Sequence, residues 1–274
     1  MTPDEAGEQL TALCKEFKLP TLARELVRRL VAVNYAGILP LLLEIFLLEA
    51  QDRHERRVER LRRASSLPPG KTLGTFDMGR LSSLPLLVQK IRALLRGEFL
   101  DRAHNVLCFG APGTGKSHVA AAIGHALVER GRSVLFVPAY RLVQELLAAK
   151  RDHALPRALR RLDGFELVIV DDIGYLAQSP DEAEVLLTLV SERYERRSLL
   201  ITSNVVFSEW ERIFKNQMAT AAAIDRLVHH AVILEFQVPS YRIGGGGGGD
   251  DDQTPMLGAG GDRSPTLMPG SAPA

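Results

Sequence analysis

Apolar residues follow two different spacings along this chain of 274 residues. In residues 3–63 they recur every three or four positions, as at Leu22, Leu26 and Leu30, and this spacing predicts helices with one buried face. After residue 104 they form short continuous runs that alternate with helical segments, which is typical of a parallel sheet. The predicted strands cover residues 106–109, 134–137, 167–170, 198–202 and 231–236. We therefore expect a small all-α domain followed by a three-layer α/β domain, with helices on both faces of its parallel sheet.

Composition marks the boundaries between these units. Residues 64–74 are rich in Ser, Pro and Gly, which predicts a linker. From Gly244 onward, six glycines and three aspartates precede a tail that is poor in apolar residues and is expected to stay disordered. The predicted units are a helical domain over residues 1–66, the α/β domain over 67–243 and the tail over 244–274.

Several features favour a protein of the reducing cytoplasm with no membrane segment. The longest apolar run, residues 38–48, is interrupted by a proline and a glutamate and is too short to span a bilayer. The acidic Asp4 and Glu5 near the N-terminus are unlike a signal peptide. Cys14 and Cys108 are far apart and match no metal-binding spacing. The formal net charge of +1 gives no indication of a nucleic-acid partner.

The motif G-x-x-x-x-G-K-S connects the first predicted strand to a helix, which is the expected setting of a phosphate-binding P-loop. Its glycines leave room for backbone amides to surround a polyphosphate. Lys116 would bring its charge to the β- and γ-phosphates, and Ser117 would offer its hydroxyl to Mg²⁺. The alternative is a Gly-rich turn that happens to precede Lys-Ser. The predicted nucleotide-binding residues of the loop are Gly110, Ala111, Pro112, Gly113, Thr114, Gly115, Lys116, Ser117 and His118.

Polar side chains follow two of the predicted strands. Asp171 and Asp172 end a buried strand, where the first carboxylate fits a role at the metal and the second can polarise a water for attack on the γ-phosphate. Asn204, after Thr202 and Ser203, reaches the same edge of the sheet and could bind both that water and a γ-oxygen. The alternatives are two capping acids at the turn, an asparagine that only starts a turn, and Thr202 or Ser203 in place of Asn204. The second carboxylate favours hydrolysis, and the lack of an N-K-x-D signature favours ATP over GTP.

Arginines crowd the second half of the long helix that follows Pro40. Asp52 with Arg56, and Glu59 with Arg63, have the spacing of ion pairs on a solvated helix face. Other pairs at that spacing are like-charged, which favours contact with DNA phosphates. The candidate DNA-binding residues are Arg53, Arg56, Arg57, Arg60, Arg62 and Arg63.

Arg226 lies shortly before the fifth predicted strand. At a subunit surface it could reach a neighbour's γ-phosphate in trans, and the alternative is a surface arginine paired with Asp225 or Glu235. His229 and His230 show no ligand spacing and are interpreted as structural.

With these motifs in order, the chain resembles the IstB family of AAA+ ATPases, which assist insertion-sequence transposition, and is similar to the DnaC helicase loaders. The resemblance covers roughly residues 8–242 and rests on the segments GAPGTGKSH, VIVDDIGYL, LLITSNVVFSEW, AAAIDRLVHHAVILEF and SYRI. It implies a P-loop AAA+ fold, ATP and Mg²⁺ as cofactors, and ATP sites between the subunits of a homo-oligomer. It also implies that Phe76 lies near the base and that Arg226 is the arginine finger.

The resemblance implies an ATP-hydrolysing helper that assembles on duplex DNA and assists a DDE-type transposase in target selection. Its N-terminal helices would carry much of the DNA contact and the self-assembly. One alternative is a helicase loader, which should prefer single strands. Another is a DNA-binding regulator that holds ATP without turnover, although the acidic pair argues against it. Residues 227–243 leave no room for the helical lid that closes many AAA+ sites.

Overall fold

The computed structural model describes residues 1–175, 179–214 and 217–241. Five parallel strands form its centre, in the order β2-β3-β4-β1-β5. The strands are β1 Asn105–Gly110, β2 Val134–Pro138, β3 Leu167–Asp171, β4 Ser198–Ser203 and β5 Ala231–Phe236. The predicted parallel sheet is confirmed. Because all strands run in one direction, the loops that follow them meet at one edge, here called the carboxyl edge, and the opposite edge is called the amino edge.

Eleven α-helices surround or precede the sheet in the described residues. The first three are α1 Pro3–Glu16, α2 Pro20–Ala32 and α3 Leu39–Ser65. The next three are α4 Pro85–Leu94, α5 Glu98–Asp101 and α6 Lys116–Glu129. The last five are α7 Ala139–Arg151, α8 Leu155–Asp163, α9 Pro180–Arg193, α10 Glu211–Phe214 and α11 Gln217–Val228. None of the described helices has the length and hydropathy needed to cross a membrane.

Strand β1 shows how the sheet separates two cores. Val106 and Cys108 face the core built with α4 and α6, whereas Leu107 and Phe109 face the core built with α7, α9 and α11. This alternation follows from the two-residue period of a strand. Burial raises the pKa of the Cys108 thiol, so it stays protonated and packs as a small apolar group. The predicted three-layer arrangement is therefore present.

A third core joins α1, α2 and α3 around Ala6, Leu10, Leu39 and Leu43. The second half of α3 leaves this core and packs on the α/β domain, where Val58 is buried beside α6. One continuous helix thus belongs to both units, and it ends where the predicted linker begins. The predicted disordered tail, residues 244–274, lies outside the described residues.

Candidate nucleotide-binding site

The loop between β1 and α6 has the shape of a phosphate cradle. A Cβ on Gly110 would lie 2.8 Å from the Phe236 carbonyl oxygen, and Gly115 has a φ of 99° that favours glycine. The buried Thr114 hydroxyl donates to the Ala111 carbonyl over 2.8 Å and closes the turn. The N-terminus of α6 follows at once, so its free amides face the loop. These features fit a bound polyphosphate.

Lys116 lies inside this loop and is 7% exposed. Its Nζ donates to the carbonyl oxygens of Gly110 and Ala111 over 2.8 and 2.9 Å. Burial lowers the pKa of Lys116, while the nearby carboxylates of Asp172 and Asp171 act in the opposite direction. The fold thus keeps a desolvated cation within the cradle, where a phosphate would be its strongest partner.

One hydroxyl on β4 connects the two acidic residues that follow β3. Thr202 Oγ1 donates to Asp171 Oδ1 over 2.6 Å and accepts from the backbone N–H of Asp172 over 2.8 Å. Asp172 itself has a φ of 66°, in the left-handed region that aspartate tolerates. Because β4 lies between β3 and β1, this arrangement adjoins the phosphate loop. Thr202, which the sequence analysis considered only as a competitor of Asn204, orients the Asp171 carboxylate and fixes the Asp172 backbone.

Asn204 packs against the turn that follows the acidic pair. Its Oδ1 is buried and has no hydrogen-bond partner among the described residues. A Cβ on Gly174 would collide with that oxygen, so any other residue there would displace the Asn204 side chain. A buried acceptor without a partner is a place for a water or a ligand donor. The sequence analysis did not identify Gly174 as part of the site, although a glycine two residues after the acidic pair could have indicated a tight turn.

Phe76 and His118 form the wall of a cavity of about 420 Å³ beside the phosphate loop. Their rings meet edge to face, with centroids 5.1 Å apart. His118 Nε2 lies 2.9 Å from the Thr72 carbonyl oxygen and 3.2 Å from Thr75 Oγ1, and so it ties the segment before Phe76 to α6. The cavity also contacts Gly113, Gly115, Lys116 and Ser117. The structure therefore places Phe76 and His118 next to the predicted phosphate site.

Two further residues line this cavity that sequence reasoning missed. Tyr241 donates its backbone N–H to the Gly113 carbonyl over 2.8 Å, and the Arg80 guanidinium carbon lies 4.9 Å from the centre of the Tyr241 ring. Both belong to segments far from the loop in sequence. The only available signal was the SYRI segment near the end of the resemblance.

Arg226 lies at the other edge of the sheet. The carbonyl of its neighbour Leu227 accepts from Asn105 Nδ2 over 3.2 Å, and Asn105 begins β1 while Gly110 ends it. At about 3.3 Å per residue, the two ends of β1 are about 17 Å apart. The half-buried Arg226 donates to the carbonyl of Ala222, one helical turn earlier, and forms no ion pair with a described residue. The structure therefore does not bring Arg226 to the nucleotide site of its own chain.

His229 and His230 lie at the same amino edge, exposed, with Glu195 beside them. The ligand atoms of these three residues are within 4.8 Å of one another. The Tyr194 hydroxyl is 2.8 Å from His229 Nδ1, so this imidazole already has a hydrogen-bond partner. The carboxylate beside the pair comes from a distant segment, and spacing in the sequence could not reveal it.

The arginines of α3 divide into two groups. Three of them contact other parts of the chain. Arg57 donates twice to the Gly131 carbonyl, over 3.1 and 2.9 Å, and Arg62 pairs with Glu129 at 2.6 Å. The Arg53 guanidinium lies over the ring of Phe17, directly after α1, 4.2 Å from the ring centroid. These contacts attach α3 to α6 and α1.

The other group lies on the exposed face of α3. Arg63 pairs with Glu59 at 2.8 Å, whereas Arg56 lies 3.7 Å from Glu49 and 3.9 Å from Asp52. Arg60 forms no ion pair with any residue that the structure describes. Three arginines and two glutamates line one shallow groove of about 520 Å³: Arg56, Arg60, Arg63, Glu55 and Glu59. Their charge is only partly compensated and faces outward.

The strand order, the phosphate loop after β1 and the acidic pair after β3 define a P-loop nucleotide-binding domain of the AAA+ class. Solved structures share the fold. The AMPPCP-bound DnaA from Aquifex aeolicus has a TM-score of 0.52 at 17% identity, over 63% of this chain and 51% of that one. DnaI has a TM-score of 0.51 at 21% identity, over 63% of this chain and 96% of DnaI. Likeness at these identities shows the fold alone.

Residues 12–245 match the family described as IstB-like ATP binding protein, and the chain belongs to this family. The resemblance inferred from the motifs is confirmed. An insertion sequence ATP-binding protein of Sinorhizobium fredii is 46% identical over 196 residues, which are 71% of this chain and 65% of the relative. This chain therefore spans slightly less than two thirds of that relative.

Two other relatives align over more of their length. The ATP-binding protein of insertion sequence IS21 from Pseudomonas aeruginosa is 36% identical over 212 residues, or 77% of this chain and 78% of the relative. That of insertion sequence IS5376 from Geobacillus stearothermophilus is 34% identical over 241 residues, or 86% of this chain and 94% of the relative. These names associate the family with insertion sequences and with ATP.

Proposed function

We propose that this protein is a magnesium-dependent ATPase that assists the transposition of an insertion sequence. The observation that carries the proposal is the carboxyl edge, where the buried Lys116 lies within the phosphate loop and Thr202 holds Asp171 and Asp172 beside it. A buried cation, free helix amides and two carboxylates are what phosphoryl transfer to water requires. The names of the relatives support ATP as the nucleotide.

Each residue of the edge has a separate task in this proposal. Lys116 exchanges its carbonyl partners for oxygens of the β- and γ-phosphates. Ser117 and the carboxylate oxygen of Asp171 that Thr202 leaves free are oxygen donors that suit Mg²⁺. Bound Mg²⁺ supplies charge neutralisation at the phosphates. Asp172 orients and polarises the attacking water, and Asn204 hydrogen-bonds that water or a γ-oxygen.

The position of Arg226 supports an assembly whose ATP sites lie between subunits. It lies at the amino edge, about 17 Å from its own phosphate loop by the rise of β1, and this distance favours a role at the nucleotide of a neighbouring chain. In a homo-oligomer it would stabilise the charge that develops on the γ-phosphate as the bond to it breaks. Self-assembly and catalysis are thereby coupled.

The exposed face of α3 supports a DNA partner. Arg56, Arg60 and Arg63 present charge in one groove without full compensation from acids, which suits a phosphate backbone. The family's association with insertion sequences favours duplex DNA, with a DDE-type transposase as the protein partner and target selection as the shared task. A helicase loader of the same fold is the second candidate, and it would prefer single strands.

The first experiment measures ATP turnover at one fixed salt concentration, with no DNA, with duplex and with single strands, over a range of protein concentrations. We expect turnover to rise more than linearly with protein and to be stimulated by duplex. Stimulation by single strands alone would favour the loader. ATP that binds but is never hydrolysed under any of these conditions would contradict the proposed ATPase.

A second experiment tests the DNA face by changing Arg56, Arg60 and Arg63 to Gln. Removing one arginine–phosphate interaction reduces the slope of log affinity against log salt by about 0.9 on duplex, so we expect a flatter slope by about 2 to 3. The matched control removes the same charge from the α/β domain, at the exposed Arg157, Arg160 and Arg161 of α8. An unchanged slope in the first variant would assign these arginines to a solvated helix face.

A further inference from the structure

The last described segment, residues 237–241, crosses the phosphate loop and is held at two points. The Tyr241 N–H donates to the Gly113 carbonyl over 2.8 Å. Arg80 Nη2 donates to the Pro239 carbonyl, also over 2.8 Å. One bond thus fixes the segment to the phosphate loop, and the other fixes it to the segment that carries Phe76. Two separate parts of the nucleotide site hold this strap in place.

The strap brings an aromatic ring to the mouth of the cavity. Tyr241 is 64% exposed, and the half-buried Arg80 supports its ring by a cation–π contact at 4.9 Å. Both side chains line the cavity that Phe76, Gly115 and Lys116 also line. A ring that is held from one side and largely open to solvent on the rest of its surface has a face available for a planar partner. The cavity is therefore lined by aromatic rings as well as by the Lys116 cation.

We propose that Tyr241 closes the base side of the nucleotide site by stacking on the adenine, and that Arg80 is the positioning residue that holds its ring. This inference rests on the proposed ATP binding. In this proposal the strap supplies the base-side wall of the site. Because the Tyr241 backbone is hydrogen-bonded to Gly113, a movement of the phosphate loop also changes the position of the Tyr241 ring.

The test compares two ligands, ATP and inorganic tripolyphosphate, both with Mg²⁺, by calorimetry. The affinity for tripolyphosphate depends on the phosphate loop alone, whereas the affinity for ATP also depends on contacts with the base. Base–aromatic stacking is worth about 1–3 kcal/mol, and tenfold in affinity corresponds to about 1.4 kcal/mol. For Tyr241→Ala we expect ATP affinity to fall about tenfold, with tripolyphosphate affinity within about twofold of the parent. Tyr241→Phe keeps the ring and should bind ATP like the parent.

The matched control is Tyr35→Ala, because Tyr35 has nearly the same exposure, 65%, and lies far from the cavity. ATP affinity unchanged in Tyr241→Ala, or equal losses for both ligands, would overturn the stacking role. A parent protein that binds neither ligand would instead overturn the proposed ATP binding. Thermal unfolding of each variant separates a loss of affinity from a loss of fold.

The role of Arg80 is tested by a double-mutant cycle with Tyr241. We expect Arg80→Ala to weaken ATP binding about threefold to fivefold, and to have no further effect in the Tyr241→Ala background. Arg80→Lys keeps the charge and should restore part of the affinity. Additive losses would mean that Arg80 contacts the nucleotide itself, which would overturn the positioning role.

Discussion

The two edges of the sheet each hold a buried cation, and the partners of these cations differ. Lys116 at the carboxyl edge is 7% exposed, and Arg193 at the amino edge is 1% exposed. Burial lowers the pKa of both, that of Arg193 to about 10. Lys116 has two partners, both carbonyls of the loop beside it. Arg193 donates to the carbonyls of Leu162, Phe165, Glu166 and Ser198.

Burial and a displaced pKa therefore do not by themselves identify a functional cation. Lys116 can exchange its partners for phosphate oxygens, because both partners belong to one short loop. Arg193 cannot, since its partners come from the end of α8, the turn before β3 and the start of β4, and it joins these segments. This difference supports the proposal that the carboxyl edge binds a ligand, whereas the partners of Arg193 at the amino edge stabilise the fold. Arg226 is the exception, because it lies at the amino edge with a single carbonyl of its own helix as its described partner.

The largest effect should come from Arg226→Ala, which we expect to lower ATP turnover by about ten-thousandfold, in the range known for arginine fingers. Nucleotide affinity should change little, because the residue is remote from its own phosphate loop. Mixing Arg226→Ala subunits with Lys116→Ala subunits should restore turnover, since the second variant donates an intact arginine to the first. Turnover is measured across mixing ratios, with Arg197→Ala as the exposed arginine control. Absence of rescue at every ratio would contradict action in trans.

Asp172→Asn should lower turnover by about a thousandfold, because the amide cannot polarise the attacking water as a carboxylate does. ATP affinity should remain within about twofold of the parent, since Lys116 and Asp171 are unchanged. Single-turnover hydrolysis and equilibrium binding, measured on one preparation, separate the two quantities. Asp152→Asn changes an exposed aspartate and is the control. Hydrolysis at the parent rate would show that Asp172 is not the residue that polarises the water.

Much of the carboxyl edge could be predicted from sequence, because the motif and the strands that carry it are local. The P-loop needs only a strand, a glycine-rich turn and a helix in succession, and Lys116 follows from them. Helix α8 is a second local case, since Leu155–Asp163 has Pro156 in its first turn, where the missing N–H of proline costs nothing.

Residues that act through the tertiary fold could not be found in this way. Thr202 orients Asp171 because β3 and β4 are neighbours, and sequence does not state which strands pair. Tyr241 reaches the phosphate loop from a distant segment of the chain. Arg57 looked like a DNA contact by composition, yet its guanidinium lies on the Gly131 carbonyl. In each case the deciding partner is remote in sequence.

Arg193→Ala should lower the free energy of unfolding by about 3–5 kcal/mol, because it leaves buried carbonyls without donors. The folded fraction should bind ATP with unchanged affinity. Lys116→Ala should instead abolish ATP binding and leave the free energy of unfolding unchanged. The substitution removes a desolvated cation and only two hydrogen bonds, both to carbonyls of the same loop. Urea unfolding and ATP binding are measured on both, with Arg197→Ala as the exposed control. If both variants lost stability, or neither did, the conclusion that Arg193 stabilises the fold and Lys116 does not would be wrong.

The smallest effect we expect is that of Thr202→Val, which keeps the shape but removes the hydroxyl shared by the two acidic residues. Turnover should fall about tenfold, and the Mg²⁺ concentration for half-maximal turnover should rise, because Asp171 loses the bond that fixes its orientation. Thr202→Ser should restore both values. Thr188→Val on α9 removes a hydroxyl that bonds only within its own helix, and it serves as the control. A fall in turnover with an unchanged Mg²⁺ requirement would restrict Thr202 to packing, and the carboxyl edge would then be less dependent on β4 than its hydrogen bonds indicate.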